Sequence, residues 1–325
     1  MAAKELKEKA KRAFYAIKRS IKLDIPIRIW LKLFKSVIEP IALYGCEVWG
    51  PATKGDFSNW DKHPTEALHA EFCKSILRVQ RKTPNNACRA ELGQYPLIID
   101  IQKRAVKFWQ HLKMSDPHSL HYQALKCQEL NIGRSPLTQL VLRLSDLAPN
   151  LITEAQDNDS VARKIRPNQI TNTEKENYIT YWKEATKTQS KLQCYLTLKR
   201  EYSTATYLNT VKDTKLRKTL TMYRLSEHHL AIERGRHRQT WLPREERLCS
   251  QCSLGAVETE VHFLTECHKY ETIRKGSFDR FNLVIPGFQT LTGEAKLPYI
   301  LGEDRDLANL AAGYVAACHN LMDSH

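Results

Sequence analysis

Cys249, Cys252, His262 and Cys267 lie in the run RLCSQCSLGAVETEVHFLTECHKY and read C-x2-C-x9-H-x4-C. Two thiolates two residues apart can share one metal ion from a tight turn. A His and a Cys five positions apart can close the tetrahedron from a turn of helix. Three sulfurs and one imidazole, with no carboxylate and no open position, suit Zn2+ in a closed, structural site that activates no water. His268, beside Cys267, is the competing imidazole, and three reduced cysteines that merely cluster are the plain alternative. His228 and His229 are assigned to capping or packing and not to the metal.

Around that cluster the charge is one-sided. The 325 residues carry 50 Lys and Arg against 36 Asp and Glu, a formal net charge of +14, although only 26% of residues are charged. A bias of sign in an otherwise ordinary composition favours a polyanionic partner, either nucleic acid (RNA or DNA) or an acidic membrane face. Two segments concentrate it: Lys4 to Lys35, with eleven Lys or Arg, and Lys215 to Arg247, with nine against four Glu. The second runs directly into Cys249. Its candidate phosphate ligands are Lys215, Arg217, Lys218, Arg224, Arg234, Arg236, Arg238, Arg244 and Arg247, with Tyr223 and Trp241 as flat surfaces for stacking bases. The bland reading of either segment is a solvated helix face.

Catalytic signatures are missing from the sequence. There is no glycine-rich phosphate loop, no G-x-S-x-G elbow, no H-E-x-x-H and no Asp-Asp dipeptide. Nine cysteines, six of them outside the run and without paired spacing, argue against a disulfide framework and for a reducing compartment, nucleus or cytoplasm. The N-terminus lacks the apolar stretch of a signal peptide. The most apolar segment, Ile25 to Trp49, is too charged to span a bilayer, so no membrane partner is expected.

The elements that must carry these residues read as helices. Apolar positions recur at i, i+3 and i+4 in Lys4 to Ile21, in Ile27 to Tyr44 with Pro40 ending or kinking it, in Thr65 to Val79 and in Ile98 to Met114. Further helices are expected over Glu174 to Tyr202, Lys212 to Glu233, Lys269 to Phe281 and Arg305 to Met322. The expected class is all-α and multi-helical, with a small zinc-stabilised module in the C-terminal third. The expected division is a helical region 1–150, a polar linker 151–172, a basic helical region 173–248, the metal module and following helix 249–285, and a C-terminal packing segment 286–325.

Two sets of motifs resemble one family. IPIRIWLKLFKSVIEPIALYGCEVWGP, Ile25 to Pro51, is similar to the stretch that follows the polymerase core in LINE-type, non-LTR retrotransposon reverse transcriptases. RLSEHHLAIERGR, PREERLCSQC and VETEVHFLTEC, with Tyr270 and Ile273-Arg274, resemble the C-terminal zinc-binding region of the same proteins. HAEFCKSILRVQRKTPNNACRAELGQYPL falls between the two sets in the family's order. The resemblance implies a thumb-like first region, and a Cys-Cys-His-Cys set associated with RNA binding during target-primed reverse transcription. Fingers, palm aspartates and endonuclease are not in this sequence, so the expectation is a non-catalytic RNA- or DNA-binding fragment. Its alternatives are the C-terminal part of an RNA-directed DNA polymerase whose palm is encoded upstream or in trans, and a retroelement remnant without selected function.

Overall fold

The structure, a computed structural model, describes residues 2–21, 24–52, 56–146, 166–237, 239 and 241–323. Among the described residues every named element is helical, and the β-structure is confined to two isolated bridges, Leu92 with Thr204 and Leu248 with Val257. The all-α expectation holds. No described helix is long and apolar enough to cross a membrane. Two compact units emerge, each assembled from separate segments: 1–22, 32–70 and 95–182 form the first, and 23–31, 71–94 and 183–325 the second.

The first unit is organised by the Leu97–Lys113 helix. Its apolar stripe, Ile98, Ile101, Ala105, Val106, Trp109 and Leu112, is buried. It forms one core with Leu125, Leu137, Leu140, Val141, Leu144 and Ile170. Leu125 comes from the Leu120–Leu130 helix and the next four from Pro136–Asp146, two helices that the stripe analysis does not anticipate. Leu137, Leu140, Val141 and Leu144 follow the i, i+3, i+4, i+7 spacing of a buried helix face, a signal present in the sequence. A buried carboxylate, Glu66, accepts from Trp60 Nε1 at 2.7 Å and from the Leu97 backbone N–H at 2.8 Å, and lies 3.0 Å from His69 Nδ1.

Pro40, expected to end or kink its helix, instead sits inside a helical run that continues to Ala42. The run from Ile27 is α-helical to Leu33, widens to a π turn over Phe34–Ile38, and resumes as Glu39–Ala42. Proline has no N–H to return to the preceding turn. The chain accommodates this by bonding Glu39 N–H to Phe34 O, an i to i+5 step. Residues 151–165 of the expected linker lie outside the described residues. Residues 167–172 are corrected: they open the Pro167–Lys187 helix, with Pro167 at its first position, where a missing N–H costs nothing.

In the second unit the Ala308–Asp323 helix packs on Thr214–Arg224, Glu271–Val284 and Gly293–Leu301. Buried Ala308, Ala311, Ala312 and Ala316 permit close approach. Asp213 caps Thr214–Arg224 by accepting from the Lys215 and Leu216 N–H groups, and Thr292 caps Gly293–Leu301 through Ala295 N–H. The expected helix over Lys212 to Glu233 is shorter than anticipated. It stops at Arg224, and Ser226 takes a left-handed φ of 51° before a single turn over Ala231–Arg234.

At the centre of this unit Arg224 grips Glu91 with two parallel bonds, Nε to Oε2 at 3.0 Å and Nη2 to Oε1 at 2.7 Å, both side chains wholly buried. Tyr195 donates to Glu91 Oε1 at 2.9 Å, and the Tyr207 ring lies 4.9 Å from the guanidinium. Arg224 also donates to the carbonyls of Leu301 and Gly302 and to Glu303, which in turn pairs with the buried Lys199 at 2.7 Å. Gly302 is required there, since a Cβ would fall 1.5 Å from the Pro298 carbonyl oxygen. Burial alone would push the Glu91 carboxyl up; Arg224 outweighs it and holds the group below the usual carboxylate range.

Arg224→Met strands a buried carboxylate and is expected to cost about 3–5 kcal/mol in equilibrium urea unfolding, while a double replacement of both partners by apolar residues costs less. Because the Glu91 value is lowered on folding, its contribution is complete above the ordinary carboxyl range. It is lost as pH falls through the depressed value, an acid limb that Glu91→Gln should remove.

Candidate metal centre

The chain enters the site as a short hairpin. Cys249 N–H donates to Ala256 O at 2.9 Å and Glu258 N–H to Arg247 O at 2.9 Å, with the Leu248–Val257 bridge between them. The turn reverses through Gly255, whose φ of 62° suits glycine. Arg247 anchors the base of the hairpin. Its guanidinium donates to Ile232 O at 3.0 Å and to Leu242 O at 2.8 and 3.0 Å. Gly235 leaves room for that side chain, since a Cβ would lie 2.7 Å from it.

His262 and Cys267 come from the other side, and their spacing needs a special turn. At 100° per residue, positions i and i+5 of an α-helix lie about 140° apart. His262–Glu266 is instead a π turn, closed by Cys267 N–H to His262 O at 2.8 Å, after which Cys267 leaves in an extended conformation. Arg274 holds that exit by donating to the carbonyls of Glu266 and Cys267, at 3.2 and 2.8 Å.

All four ligand atoms lie within 4.8 Å of one another. Cys249 Sγ is 3.9 Å from Cys267 Sγ, and Cys252 Sγ is 3.4 Å from His262 Nε2. A cation bound tetrahedrally at about 2.3 Å from sulfur and about 2.0–2.1 Å from nitrogen needs edges of about 3.8 and about 3.6 Å. The cluster therefore fits a metal ion. A disulfide does not fit, since that would require about 2.05 Å, and every cysteine of the chain is free. His262 Nδ1 faces Glu266 Oε2 at 3.3 Å, an outer carboxylate that turns Nε2 toward the ligands. The Gln251 N–H lies 3.4 Å from Cys249 Sγ, a donor that suits a thiolate. Cys249, His262 and Cys267 are buried and Cys252 is half-buried. His268 is exposed on the next turn and outside the cluster, which leaves His262 as the imidazole.

Without a cation this is a poor place for thiolates. Burial first, then Cys267 and Glu258 nearby, pushes the Cys249 thiol up to about 12, and burial likewise raises Cys267. A metal ion reverses the balance by supplying the positive charge that three neighbouring sulfurs need.

The expected nucleic-acid ligands divide. Lys215, Lys218, Arg234 and Arg244 are exposed, and Trp241 keeps 64% of its surface open. Arg217 is half-buried and donates to the carbonyls of Val211 and Lys212, while Arg236 is bound to Glu233 and Ser190. Three expectations are corrected. Tyr223 is buried, stacked on Phe263 at 5.2 Å with its hydroxyl 3.2 Å from His319 Nδ1, so no base reaches its ring. Arg224 is spent on Glu91, and Arg247 on the hairpin base. Arg238 lies outside the described residues. His228 packs as expected, 3.0 Å from Glu260 Oε1 and stacked on Tyr223. Glu266 was not anticipated, although an acid four residues after the ligand His was the available signal, and Arg274 entered only through the family resemblance, without its role at the Cys267 exit.

No family model, no curated protein and no solved structure matches this chain.

Metal uptake should release protons and strengthen as pH rises, since the thiols must ionise. Calorimetry in buffers of different ionisation enthalpy measures this directly. Glu266→Ala should weaken metal binding about 10–100-fold without unfolding the chain.

Proposed function

We propose that this chain is a zinc-stabilised nucleic-acid-binding protein, a relative of the C-terminal region of LINE-type retrotransposon reverse transcriptases, that grips RNA or DNA and carries no polymerase chemistry of its own. The observation that carries the reading is the Cys249, Cys252, His262, Cys267 tetrad with the basic segment leading into it. Three thiolates and an imidazole at tetrahedral separations favour Zn2+ over hard cations, which prefer oxygen. Such an ion is a structural element, and its binding energy is folding energy for the hairpin and the wide turn.

Exposed cations of the same unit suit a polyanion. Lys215, Lys218, Arg234 and Arg244 extend into solvent, and Trp241, in the loop that Arg247 ties to the hairpin base, offers an open ring. Phosphates would meet the cations and a base would stack on the indole, a combination tolerant of sequence. The order of the two motif sets along the chain supports the retroelement relationship.

If those four cations each neutralise one phosphate, the logarithm of the affinity for a single strand should fall against log salt with a slope of about −3 in a filter-binding titration. A flat response defeats the proposal. Trp241→Ala should weaken binding about tenfold at unchanged stability, whereas Tyr223→Ala should lower stability and affect binding only through folding.

A further inference from the structure

Next to the metal ligand His262 the second unit carries a cleft of about 400 Å3, a volume suited to a small ligand. Most of its polar wall is already engaged. Arg236 is held by Glu233 and by Ser190, Lys191 by Glu227 at 2.6 Å, and Glu266 faces His262. Among the charged and amide side chains of the lining, three have no hydrogen bond or ion pair: Arg244, Gln193 and Glu294, all exposed. They come from separate parts of the fold. Arg244 sits in the turn before the hairpin, Gln193 follows the 3-10 turn Ser190–Leu192, and Glu294 lies in the first turn of Gly293–Leu301. All three line the same cleft, whose wall also holds Cys194 and Glu260.

A guanidinium fork, a primary amide and a carboxylate around one small cleft form a recognisable set. The fork matches phosphate oxygens. The carboxylate accepts from an exocyclic amino group and from ring N–H donors, which guanine presents together and uracil does not. The amide serves either polarity. A negatively charged ligand without such donors would be repelled by Glu294, and a ligand without phosphate would leave Arg244 unused.

We propose that this cleft binds a single nucleotide unit, with its phosphate on Arg244 and the amino-bearing edge of its base on Glu294, guanine being the best match. This rests on the nucleic-acid reading above and adds a base preference to it, with a pocket that takes one nucleotide out of the strand. Arg236 and Lys191 are neutralised by Glu233 and Glu227, which leaves Arg244 as the cation for the phosphate. Gln193 contacts the base or the ribose. The metal ion acts here only by holding the Val257–His262 side of the cleft in place.

The test uses the full chain with its metal, titrated calorimetrically with guanosine 5′-monophosphate, uridine 5′-monophosphate and ribose 5-phosphate, with a single-stranded RNA oligonucleotide in the same buffer. The guanine nucleotide should bind about tenfold more tightly than the uracil nucleotide. Glu294→Gln should erase that preference and leave ribose 5-phosphate unchanged. Arg244→Gln should weaken all three small ligands. Zinc content and circular dichroism of both variants should match the parent chain. Equal binding of the three ligands, or insensitivity to either substitution, overturns the cleft proposal. Oligonucleotide binding without mononucleotide binding overturns it as well and leaves the broader function standing. Failure of the oligonucleotide itself removes both.

Discussion

A guanidinium that is wholly out of water must be met by a carboxylate, and Arg224 in this chain is met by one from 133 positions earlier. That obligation shapes the second unit. Glu91 can serve only if its helix, Asn85–Glu91, ends where the Thr214–Arg224 helix ends. The remaining donors of Arg224 then require the carbonyls of Leu301 and Gly302 at the same place, which sets where the Gly293–Leu301 helix stops. Lys199, itself buried, is neutralised by the Glu303 carboxylate that closes the cluster. Two buried cations thus balance against the buried Glu91 and the half-buried Glu303, with Tyr195 and Tyr207 completing the shell. Removing Arg224 or Glu91 leaves an uncompensated charge where solvent cannot reach it.

The metal module repeats this logic with different chemistry. A hairpin joined by a single bridge and a five-residue wide turn have too little apolar surface to hold their shape alone. Arg247 and Arg274 fix the two halves by donating to backbone carbonyls, and the four ligands bring the halves together. Below the site, Phe263 stacks on Tyr223, which carries His228 on a neighbouring contact and meets His319 of the last helix. The ligand-bearing turn is thereby packed against the same helix that ends in Arg224, so the two organising centres share one core.

What could be read from the residues alone follows from how local each signal is. The ligand set was legible because C-x2-C and H-x4-C are short-range patterns with a direct chemical meaning. The Leu97–Lys113 helix was legible because its stripe is regular. Tyr223, Arg224 and Arg247 were misread for the opposite reason. Nothing in the basic run marks which cations have a buried acceptor, and the acceptors are Glu91 and backbone carbonyls that only the fold supplies. The π turn at His262 was invisible too, since one extra residue per turn leaves no compositional trace. Ser226 in a left-handed conformation broke the expected long helix without a glycine or proline to announce it.

The hairpin, the cleft wall and the loop that carries Trp241 depend on the four ligands holding one ion. The most direct measurement is zinc K-edge X-ray absorption on the full chain purified without added metal, combined with metal quantitation by mass spectrometry. The account predicts one zinc per chain with three sulfur neighbours at about 2.3 Å and one nitrogen at about 2.0 Å. Sub-stoichiometric zinc, or a first shell dominated by oxygen, would contradict it.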